Sequence, residues 1–386
     1  MRACPTRPSS RARARVHQRK PTPWTRPRTK ISARSIPAHY GGAVTEKSAY
    51  PPITDRPIRW GLLAAGKIAH ALAQAVRETE GGQLVAVAAR DAVRAAEFAR
   101  AHDIPLSYGG YEELCTDPDV DVVYISSTNP HHADQAVRCL ESGKHVLVEK
   151  PIALTVADAE RIVETARTRG LFAMEAMWTR CQPLVLDLAD RVREGQIGRV
   201  RSFHAAFTVP FEYDAAHRIF DLENGGGALL DLGVYPVALA HLLLGHPTDV
   251  QVLGATVPTG VDAQAALQWM NADGAVAQVI CDSQSHGSSR TVVRGTEGWI
   301  EVHGPVTQPE SFTVHRGPDA EEGEHVTGDR RGFVHEVEEV HRCLREGLLQ
   351  SPLVPHADTV AIMTILESAR RELGVRYPQE PEPLHT

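Results

Sequence analysis

The sequence predicts an α/β protein with two domains. The first is a parallel doubly wound sheet, and the second is an α+β domain with a large, mostly antiparallel open sheet. From residue 58 to residue 178, short apolar strands alternate with amphipathic helices, which is the pattern of a parallel doubly wound sheet. From residue 179 to residue 386, strands follow one another before two helices, which is typical of an antiparallel sheet. A chain of 386 residues is long enough to bury both cores.

Residues 1–57 form a basic head, which we expect to be disordered or to result from a start codon placed too far upstream. The head contains 13 Lys and Arg against two acids, whereas the remaining residues contain 28 Lys and Arg against 46 acids. It is rich in Pro, Arg and Ser and has too little apolar content to form a core. It lacks the apolar stretch of a secretory signal, and its prolines oppose the amphipathic helix of a transit peptide.

The composition argues against several classes of protein. The acidic remainder of the chain disfavours nucleic acid as a partner, and no apolar run approaches the roughly 18 residues that a membrane span needs. The six cysteines are scattered without a CxxC pair, so we expect free thiols and a cytoplasmic location. The 19 histidines show no HExxH spacing or comparable cluster, so we expect no metal.

In the first domain, each predicted strand is followed by a helix or a turn with recognisable ends. The predicted strands are IRWGLLAAG, QLVAVAAR, DVVYISS, KHVLVEK and LFAMEAMW. The stripe that the first helix should bury consists of Ile68, Leu72, Ala75 and Val76. The segment SYGGYEELC is predicted to be a turn and a short helix. Gly143 and Gly170 should end two later helices, and Thr155 is the expected N-cap of the last one.

The first strand-to-helix turn has the spacing of a dinucleotide-binding fingerprint. The turn fits the pattern GxGxxA, except that an alanine replaces the first glycine. In such a turn the backbone approaches a pyrophosphate at the N-terminus of a helix. We therefore expect a Rossmann NAD(P)-binding domain over residues 58–178. The predicted contacts in the turn are Ala64, Gly66, Lys67, Ile68 and Ala69. The alternative is a tight turn that binds no ligand.

The end of the second strand indicates which cofactor is used. An NAD enzyme usually has an acid there to bind the ribose 2′-hydroxyl, but this strand ends in Ala88, Ala89 and Arg90. Arg90 can instead pair with a 2′-phosphate, which favours NADP. NAD is the alternative if Arg90 is only a solvated surface residue and the neighbouring Asp91 binds the ribose.

The second domain, residues 179–386, should bind substrate and form the oligomer. Its predicted strands are VRSFHAAFTV, VQVLGATV, AALQWM, VAQVIC, TVVRG and WIEVHG. Two amphipathic helices, FVHEVEEVHRCLREG and HADTVAIMTILESARREL, should cover this sheet. The first helix should bury Val337, Val340 and Leu344.

Several motifs occur in the order typical of the Gfo/Idh/MocA oxidoreductase family. They are GLLAAGKIA, VAVAARD, VVYISSTNPHH, GKHVLVEKPIALT, EAMWTR and GGGALLDLGVYPV. The chain therefore resembles this family over about residues 58 to 376. EAMWTR and the tyrosine of LGVYP are most similar to the branch that contains dimeric dihydrodiol dehydrogenase and NADP-linked D-xylose dehydrogenase. Two departures are Ala64 in place of a glycine and Thr128 where the family often has proline.

The resemblance implies roles for residues outside the first turn. Near the nicotinamide it implies Glu149 and Lys150 of the EKP motif, Asn129 and His132. On the substrate side it implies Asp231, Trp178 and the catalytic Tyr235. It also implies that the open sheet pairs with another subunit, so we expect a homodimer or a higher homo-oligomer. Arg218, which precedes the glycine run, is a further candidate for substrate binding.

The residue types of the candidate site suit hydride and proton transfer. A free tyrosine has a pKa of about 10, and an ammonium within about 4–6 Å should lower the pKa of Tyr235. Lys150 can also stabilise negative charge that develops on a substrate oxygen. Asp231 lies four residues before Tyr235, so on a helix both would share one face. The three glycines before this segment should let the backbone pass close to a ligand.

These observations predict an NADP-dependent oxidoreductase acting on a sugar, polyol or cyclic diol. The first expectation is an aldose such as D-xylose, oxidised at C1, with Lys150 and Tyr235 as the acid–base pair. A trans-dihydrodiol dehydrogenase and a sugar ketoreductase are alternatives. The non-enzyme alternative is an NAD(P)-sensing regulatory protein, against which the intact pair argues.

Overall fold

The computed structural model describes residues 29–30, 46–317 and 323–380. Most of the predicted head, residues 1–28 and 31–45, therefore lies outside the described residues. Within the head, β1 (Thr29–Lys30) is a two-residue strand at the edge of the second sheet. Residues 46–57 lie along the body, where the amides of Ser48 and Ala49 donate to the carbonyls of Gly347 and Gly170 at 2.8 and 3.0 Å. This segment is thus held by the body, which differs from the disorder predicted for it.

The first domain contains a six-stranded parallel sheet in the order β4-β3-β2-β5-β6-β7. Its strands are β2 (Ile58–Leu63), β3 (Gly82–Ala88), β4 (Leu106–Tyr108), β5 (Val122–Ile125), β6 (His145–Glu149) and β7 (Ala173–Ala176). Its helices are α1 (Lys67–Glu78), α2 (Ala92–Ala101), α3 (Tyr111–Thr116), α4 (His132–Glu141) and α5 (Val156–Arg169). Strands β5 and β6 are buried throughout because helices cover both faces of the sheet.

The predicted helix boundaries of this domain agree with the structure. Thr155 is the N-cap of α5, where its hydroxyl accepts from the amide of Asp158 at 3.1 Å. Gly170 ends α5 with φ 65°, and Gly143 follows α4 with φ 82°. The short edge strand β4 was not predicted, because two of its three residues lie in the segment SYGGYEELC, which was assigned to a turn and a short helix.

A 3₁₀ turn (Trp178–Cys181) and α6 (Pro183–Arg193) lead into the second sheet, which has nine strands. After β1 these are β8 (Val200–Thr208), β9 (Pro247–Thr256), β10 (Asp262–Asn271), β11 (Val276–Asp282), β12 (Thr291–Gly295), β13 (Gly298–His303), β14 (Ser311–Arg316) and β15 (Glu324–Thr327). The order is β1-β15-β14-β13-β12-β8-β11-β10-β9, and only the β1–β15 and β8–β11 pairs of these described strands are parallel. The two sheets confirm the predicted fold class.

The last two helices agree only in part with the prediction that they cover the second sheet. α8 (Phe333–Glu346) packs against α1, and α9 (His356–Glu372) packs against α5, against α7 (Val234–Leu244) and against β9 of the second sheet. The indole of Trp60 in β2 donates to Nε2 of His341 in α8 at 3.0 Å. The predicted stripe of α8 is buried, but it faces the first domain and does not cover the open sheet. An amphipathic pattern defines the buried face of a helix and not its partner.

The described cysteines and helices give two further observations. Five cysteines, Cys115, Cys139, Cys181, Cys281 and Cys343, are buried free thiols, and the predicted thiol of Cys4 lies outside the described residues. None of the helices in the described ranges is long and apolar enough to cross a membrane.

Candidate active site

A cavity of about 1030 Å³ lies where the carboxyl ends of the parallel strands meet the second domain. It contains nearly all the predicted site residues: Ala64, Gly66, Lys67, Ile68, Arg90, Asn129, His132, Glu149, Lys150, Trp178, Arg218, Asp231 and Tyr235. Ala69 is the exception, because it is fully buried in the core. Its small side chain serves the packing of α1 on the sheet, which is the usual role of the third fingerprint position.

The turn between β2 and α1 fits a pyrophosphate. Gly66 is the N-cap of α1, with φ −87°, and a Cβ built there would come no closer than 3.8 Å to the carbonyl oxygen of Ser126. The fold itself therefore does not require a glycine at this position, and the missing side chain leaves the amides of the helix N-terminus open to the cavity. Ala64, at the first glycine position, has φ 82°, a left-handed conformation that an alanine rarely adopts.

The far end of the cavity is basic. Arg90 is exposed there, and Arg94 donates from Nε and a terminal nitrogen to the carbonyl of Ala65 at 3.2 and 3.0 Å. Asp91 caps α2, because its Oδ1 accepts from the amides of Val93 and Arg94 at 2.8 and 3.3 Å. Asp91, the acid that could bind a ribose, thus has one carboxylate oxygen engaged in capping α2. The guanidinium groups of Arg90 and Arg94 line the same end of the cavity. The sequence prediction missed Arg94, although its position in the first turn of α2 could have indicated it.

Asn129 and His132 hold the loop that follows β5. Nδ2 of Asn129 donates to the carbonyl of Gly225 in the second domain at 3.1 Å. His132 is buried, and its two ring nitrogens lie 3.0 Å from the carbonyl of Pro151 and 3.1 Å from that of Ser127. Burial lowers the pKa of His132. The histidine therefore ties this loop to the chain just after Lys150.

Lys150 stands at the end of β6 and reaches across to the second domain. Its ammonium donates to the backbone carbonyl of Asp231 at 2.8 Å and to Oδ1 of the same residue at 3.2 Å. The guanidinium of Arg218 donates to Oδ1 and Oδ2 of Asp231 at 3.1 and 2.9 Å. Asp231 thus lies between two cations, and the predicted substrate contact Arg218 also holds its carboxylate. The peptide bond between Lys150 and Pro151 is cis.

Tyr235 lies inside an aromatic enclosure close to this lysine. The Lys150 ammonium is 4.8 Å from the centroid of the Tyr235 ring. The indole of Trp178 donates to the Tyr235 hydroxyl at 3.2 Å and stacks on Phe333, with 4.6 Å between ring centroids. Phe207 meets Tyr235 edge to face at 5.9 Å. Phe207 and Phe333 were not predicted, because only the tertiary fold brings them together.

The charges at this end of the cavity differ in part from the expectation. Burial raises the pKa of Asp231, but Lys150 and Arg218 outweigh it and bring it to about 2. Burial lowers the pKa of Lys150, yet Asp231, Tyr235 and Glu149 raise it above its ordinary value. Burial raises the pKa of Tyr235, and Lys150 offsets this only in part. The predicted net lowering of the Tyr235 pKa is therefore wrong, because desolvation and two nearby acids exceed the effect of one ammonium.

Glu149, the acid before Lys150, is a largely buried residue of the cavity wall. Tyr124 in β5 donates its hydroxyl to Oε1 of Glu149, while Oε2 accepts from the amide of Lys150 at 3.2 Å. Burial raises the pKa of Glu149, although the bond from Tyr124 and the charge of Lys150 lower it in part. The sequence did not indicate the role of Tyr124, which lies in an otherwise apolar strand.

The segment that holds Asp231 and Tyr235 is not one regular α-helix. Leu229–Gly233 forms a π-helical turn, and α7 then begins at Val234. Pro236 has no N–H to donate to the preceding turn, which accounts for the irregularity. Asp231 and Tyr235 nevertheless both line the cavity, as predicted, although the turn that contains Asp231 is π-helical and not α-helical.

The glycine run before this turn lies very close to other parts of the protein. A Cβ at Gly226 would lie 2.7–2.8 Å from three backbone carbonyl oxygens around the Arg218 turn. A Cβ at Gly227, where φ is 128°, would lie 2.4 Å from a carboxylate oxygen of Asp262. The small residues therefore allow the Arg218 segment to pack closely beside Asp231.

No group of three or more His, Cys, Asp and Glu side chains is arranged to hold a metal ion in residues 46–317 and 323–380.

Two family descriptions match most of the chain. Residues 58–177 match the Gfo/Idh/MocA description "Oxidoreductase family, NAD-binding Rossmann fold", and residues 185–301 match the "GFO/IDH/MocA C-terminal domain". The chain is 36% identical over 333 residues to trans-1,2-dihydrobenzene-1,2-diol dehydrogenase of Bos taurus, with 84% of this chain and 99% of that protein covered. It is 34% identical over 335 residues to the protein of the same name from Danio rerio, with the same coverage.

Solved structures share the fold. A 3-ketoreductase from Actinomadura kijaniata, in complex with NADP and TDP-benzene, is 28% identical with a TM-score of 0.72, covering 82% of this chain and 98% of that one. The same ketoreductase has been solved with a tyrosine replaced by phenylalanine and with a lysine replaced by alanine. Levoglucosan dehydrogenase, in complex with NADH and levoglucosan, has a TM-score of 0.74 at 23% identity, covering 83% and 98%. At this identity the likeness concerns the fold alone.

Proposed function

Because the chain belongs to the Gfo/Idh/MocA oxidoreductase family, we propose that it is an NADP-dependent dehydrogenase of cyclic trans-diols. Its general class, an NAD(P)-dependent oxidoreductase with a Rossmann domain, is that of the family. The proposal chiefly depends on the meeting of Lys150, Asp231 and Tyr235 at one end of the cavity, with the pyrophosphate turn at the other.

In this proposal Tyr235 transfers the proton at the reacting oxygen. When bound, the nicotinamide accepts hydride from the carbinol carbon, or supplies it in the reverse direction. The Tyr235 oxygen takes the hydroxyl proton during oxidation and returns it during reduction. Two N–H groups of Lys150 are bound to Asp231, so the third is free to stabilise negative charge on the substrate oxygen. Glu149 and Asn129 are proposed to border the nicotinamide ribose.

The residues that line the cavity favour a cyclic substrate with hydroxyls on one side of its ring. Trp178, Phe207 and Phe333 form an apolar wall, and Asp231 and Arg218 lie at its polar end. A cyclohexadiene diol would place its apolar face on the aromatic wall and its hydroxyls towards the polar end. The names of the curated relatives support this substrate class. Oxidising one hydroxyl would give a hydroxyketone that tautomerises to a catechol.

A sugar substrate is the second candidate. The 3-ketoreductase relative, at 28% identity, supports reduction of a sugar ketone in the same cavity. Oxidation of an aldose such as D-xylose at C1 stays a prediction, because a sugar ring also presents an apolar face to aromatic side chains.

The preference for NADP is proposed from the basic end of the cavity. Arg90 and Arg94 provide two positive charges where a ribose 2′-phosphate would lie, and Oδ1 of Asp91 is engaged in capping α2. NAD remains the alternative cofactor.

We also propose a homodimer or a higher homo-oligomer formed through the open face of the second sheet. Three large apolar residues in β9, β10 and β11 are exposed: Leu253 at 80%, Met270 at 53% and Ile280 at 40%. Such a patch on a sheet face is typical of an interaction surface. Sedimentation equilibrium that showed only monomers would contradict this proposal.

We further propose a cytoplasmic location, because the described cysteines are free thiols.

A substrate panel tests the proposed function. Purified protein is incubated with NADP⁺ or NAD⁺ and with trans-dihydrobenzenediol, D-xylose, other aldoses or inositols, and reduced nicotinamide is followed by absorbance. We expect the diol with NADP⁺ to give the highest kcat/KM and a catechol product. Turnover of aldoses alone would replace the diol by the second candidate. Absence of turnover on every substrate, despite tight cofactor binding, would overturn the proposal.

A further inference from the structure

We infer that Trp178 is a positioning residue that directs the proton of Tyr235 towards the substrate and makes it easier to remove. The inference rests on the proposed function, in which Tyr235 is the acid–base group. From the sequence, Trp178 was expected only to form a wall of the substrate pocket. The structure adds a specific contact, because its indole N–H lies 3.2 Å from the Tyr235 hydroxyl oxygen.

The direction of this hydrogen bond fixes the orientation of the hydroxyl. An indole nitrogen can only donate, so the Tyr235 oxygen must be the acceptor. The hydroxyl hydrogen then cannot point at Trp178, and it is turned to the other side of the oxygen. Tyr235 and Trp178 both line the cavity, and in the proposed function the substrate oxygen accepts from the hydroxyl on that other side.

Lys150 does not perform this task in the described contacts. Its ammonium lies over the Tyr235 ring, 4.8 Å from the centroid, and two of its N–H groups are bound to Asp231. Trp178 supplies the hydrogen bond to the phenol oxygen itself, and this bond works against the raised pKa of the buried tyrosine. The lysine thus acts through its charge, and the tryptophan acts through a directed bond.

The indole is held in place by the second domain. It stacks on Phe333, the first residue of α8, with 4.6 Å between centroids and 26° between planes. Phe207 closes the other side of Tyr235, edge to face at 5.9 Å. Rotation of either ring is therefore restricted, so the N–H of Trp178 stays directed at the oxygen.

The bond matters most when the tyrosine is charged. During oxidation the C–H electron pair leaves as hydride to the nicotinamide, the O–H pair forms the carbonyl, and the proton passes to the Tyr235 phenolate. A hydrogen bond to a charged oxygen is stronger than one to a neutral hydroxyl. Trp178 therefore stabilises the state that must be present before the proton is taken from the substrate.

The test is Trp178→Phe, which keeps an aromatic wall but removes the N–H. We expect kcat for diol oxidation to fall by about ten- to a hundredfold, and the alkaline pKa of the pH–rate profile to rise by about one to two units. KM should change much less than kcat, since the apolar wall remains. Phe333→Leu is the graded comparison: it keeps the indole N–H but removes the ring that holds it, so the alkaline pKa should rise less than in Trp178→Phe.

A double-mutant cycle separates this inference from the proposed function. In the residual turnover of Tyr235→Phe, which has no hydroxyl to accept the bond, adding Trp178→Phe should cause little further loss. If Trp178→Phe alone leaves kcat and the alkaline pKa unchanged while Tyr235→Phe retains only residual turnover, the inference fails and the proposed function stands. Near-normal turnover of Tyr235→Phe would instead remove the proposed function itself.

Discussion

The ammonium of Lys150 lies 2.8 Å from the backbone carbonyl oxygen of Asp231 and 3.2 Å from its carboxylate. Lys150 directly follows strand β6 of the parallel sheet, and Asp231 lies in the π-helical turn of the second domain. The charged group proposed to act on the substrate is thus placed by both domains, which leads to the predictions below.

Replacing Lys150 by methionine should largely abolish turnover and leave the protein folded. The charge that stabilises the substrate oxygen is lost, and a loss of about a hundred- to a thousandfold in kcat is typical for such a group. The measurement is kcat for diol oxidation beside circular dichroism. Lys47→Met, at an exposed lysine, is the control and should be fully active. If the variant kept more than about a tenth of normal activity, the loss would be no larger than that from removing an exposed ion pair, and Lys150 would have no role in the mechanism.

Stability at acid pH should depend on Asp231. The pKa of Asp231 in the folded protein is about 2, below the ordinary value of 3.8. The stabilisation that its carboxylate adds to the folded state is therefore complete above pH 3.8 and is lost as the pH falls through 2. The contribution is on the order of 2 kcal/mol. Urea unfolding between pH 2 and pH 5 measures it. Asp231→Asn should lose this part of the pH dependence, and an unchanged slope in that variant would contradict the assignment.

The two directions of the reaction should differ in their pH dependence. The pKa of Tyr235 is raised, so the tyrosine is protonated at neutral pH. Carbonyl reduction needs the protonated form, and its kcat/KM should stay level until the pH passes this pKa. Oxidation needs the phenolate, so its kcat/KM should rise about tenfold per pH unit over the neutral and alkaline range. A maximum of oxidation near neutral pH would show that another base takes the proton.

Arg90→Ala should weaken binding of NADPH much more than binding of NADH. The lost charge-assisted bond to a 2′-phosphate is worth about ten- to a hundredfold in affinity. Fluorescence titration with both cofactors measures the ratio, and Arg100→Ala, at the far end of α2, is the matched control. Arg94→Ala should weaken both cofactors, because Arg94 holds the carbonyl of Ala65 in the pyrophosphate turn, and it should weaken NADPH more, because its charge also lies near the proposed 2′-phosphate site. Equal losses for both cofactors in Arg90→Ala would remove the specificity argument.

Ala64→Gly should stabilise the protein without cofactor. Ala64 has φ 82°, and a left-handed conformation costs an alanine about 1–2 kcal/mol. Glycine adopts it freely but loses about 0.5–1 kcal/mol more backbone entropy on folding, so the net gain is about 0.5–1 kcal/mol. The midpoint of urea unfolding measures it. Ala65→Gly is the control and should destabilise, since Ala65 is buried and does not have a positive φ.

The local pattern of the sequence was enough for most of the fold. Strands β2, β3, β5, β6 and β7 were predicted because buried parallel strands are continuous apolar runs. β4 has three residues, too short to show a period, and β14 and β15 of the second domain were also missed. The packing of α8 on the first domain depends on contacts such as Trp60 with His341, which are distant in sequence and leave no local signal.

For the candidate site, motifs located the residues but not their electrostatics. The fingerprint turn, Lys150 and Tyr235 were predicted, and the structure brings them into one cavity. The sign of the Tyr235 pKa shift was missed, because it depends on burial and on neighbouring acids as well as on the expected lysine. Arg94 and the aromatic wall were missed because their relevance lies in tertiary contacts.

Because α8 packs against the first domain, the two domains of this protein cannot simply be exchanged with those of relatives. A chimaera that joined residues 58–178 to a different substrate domain would lack His341, and the indole of Trp60 in β2 would lose its buried partner. It would also lack Phe333, which supports Trp178 at the reaction centre. Transfer of the nucleotide-binding half to a new specificity would therefore have to include the C-terminal helices as well.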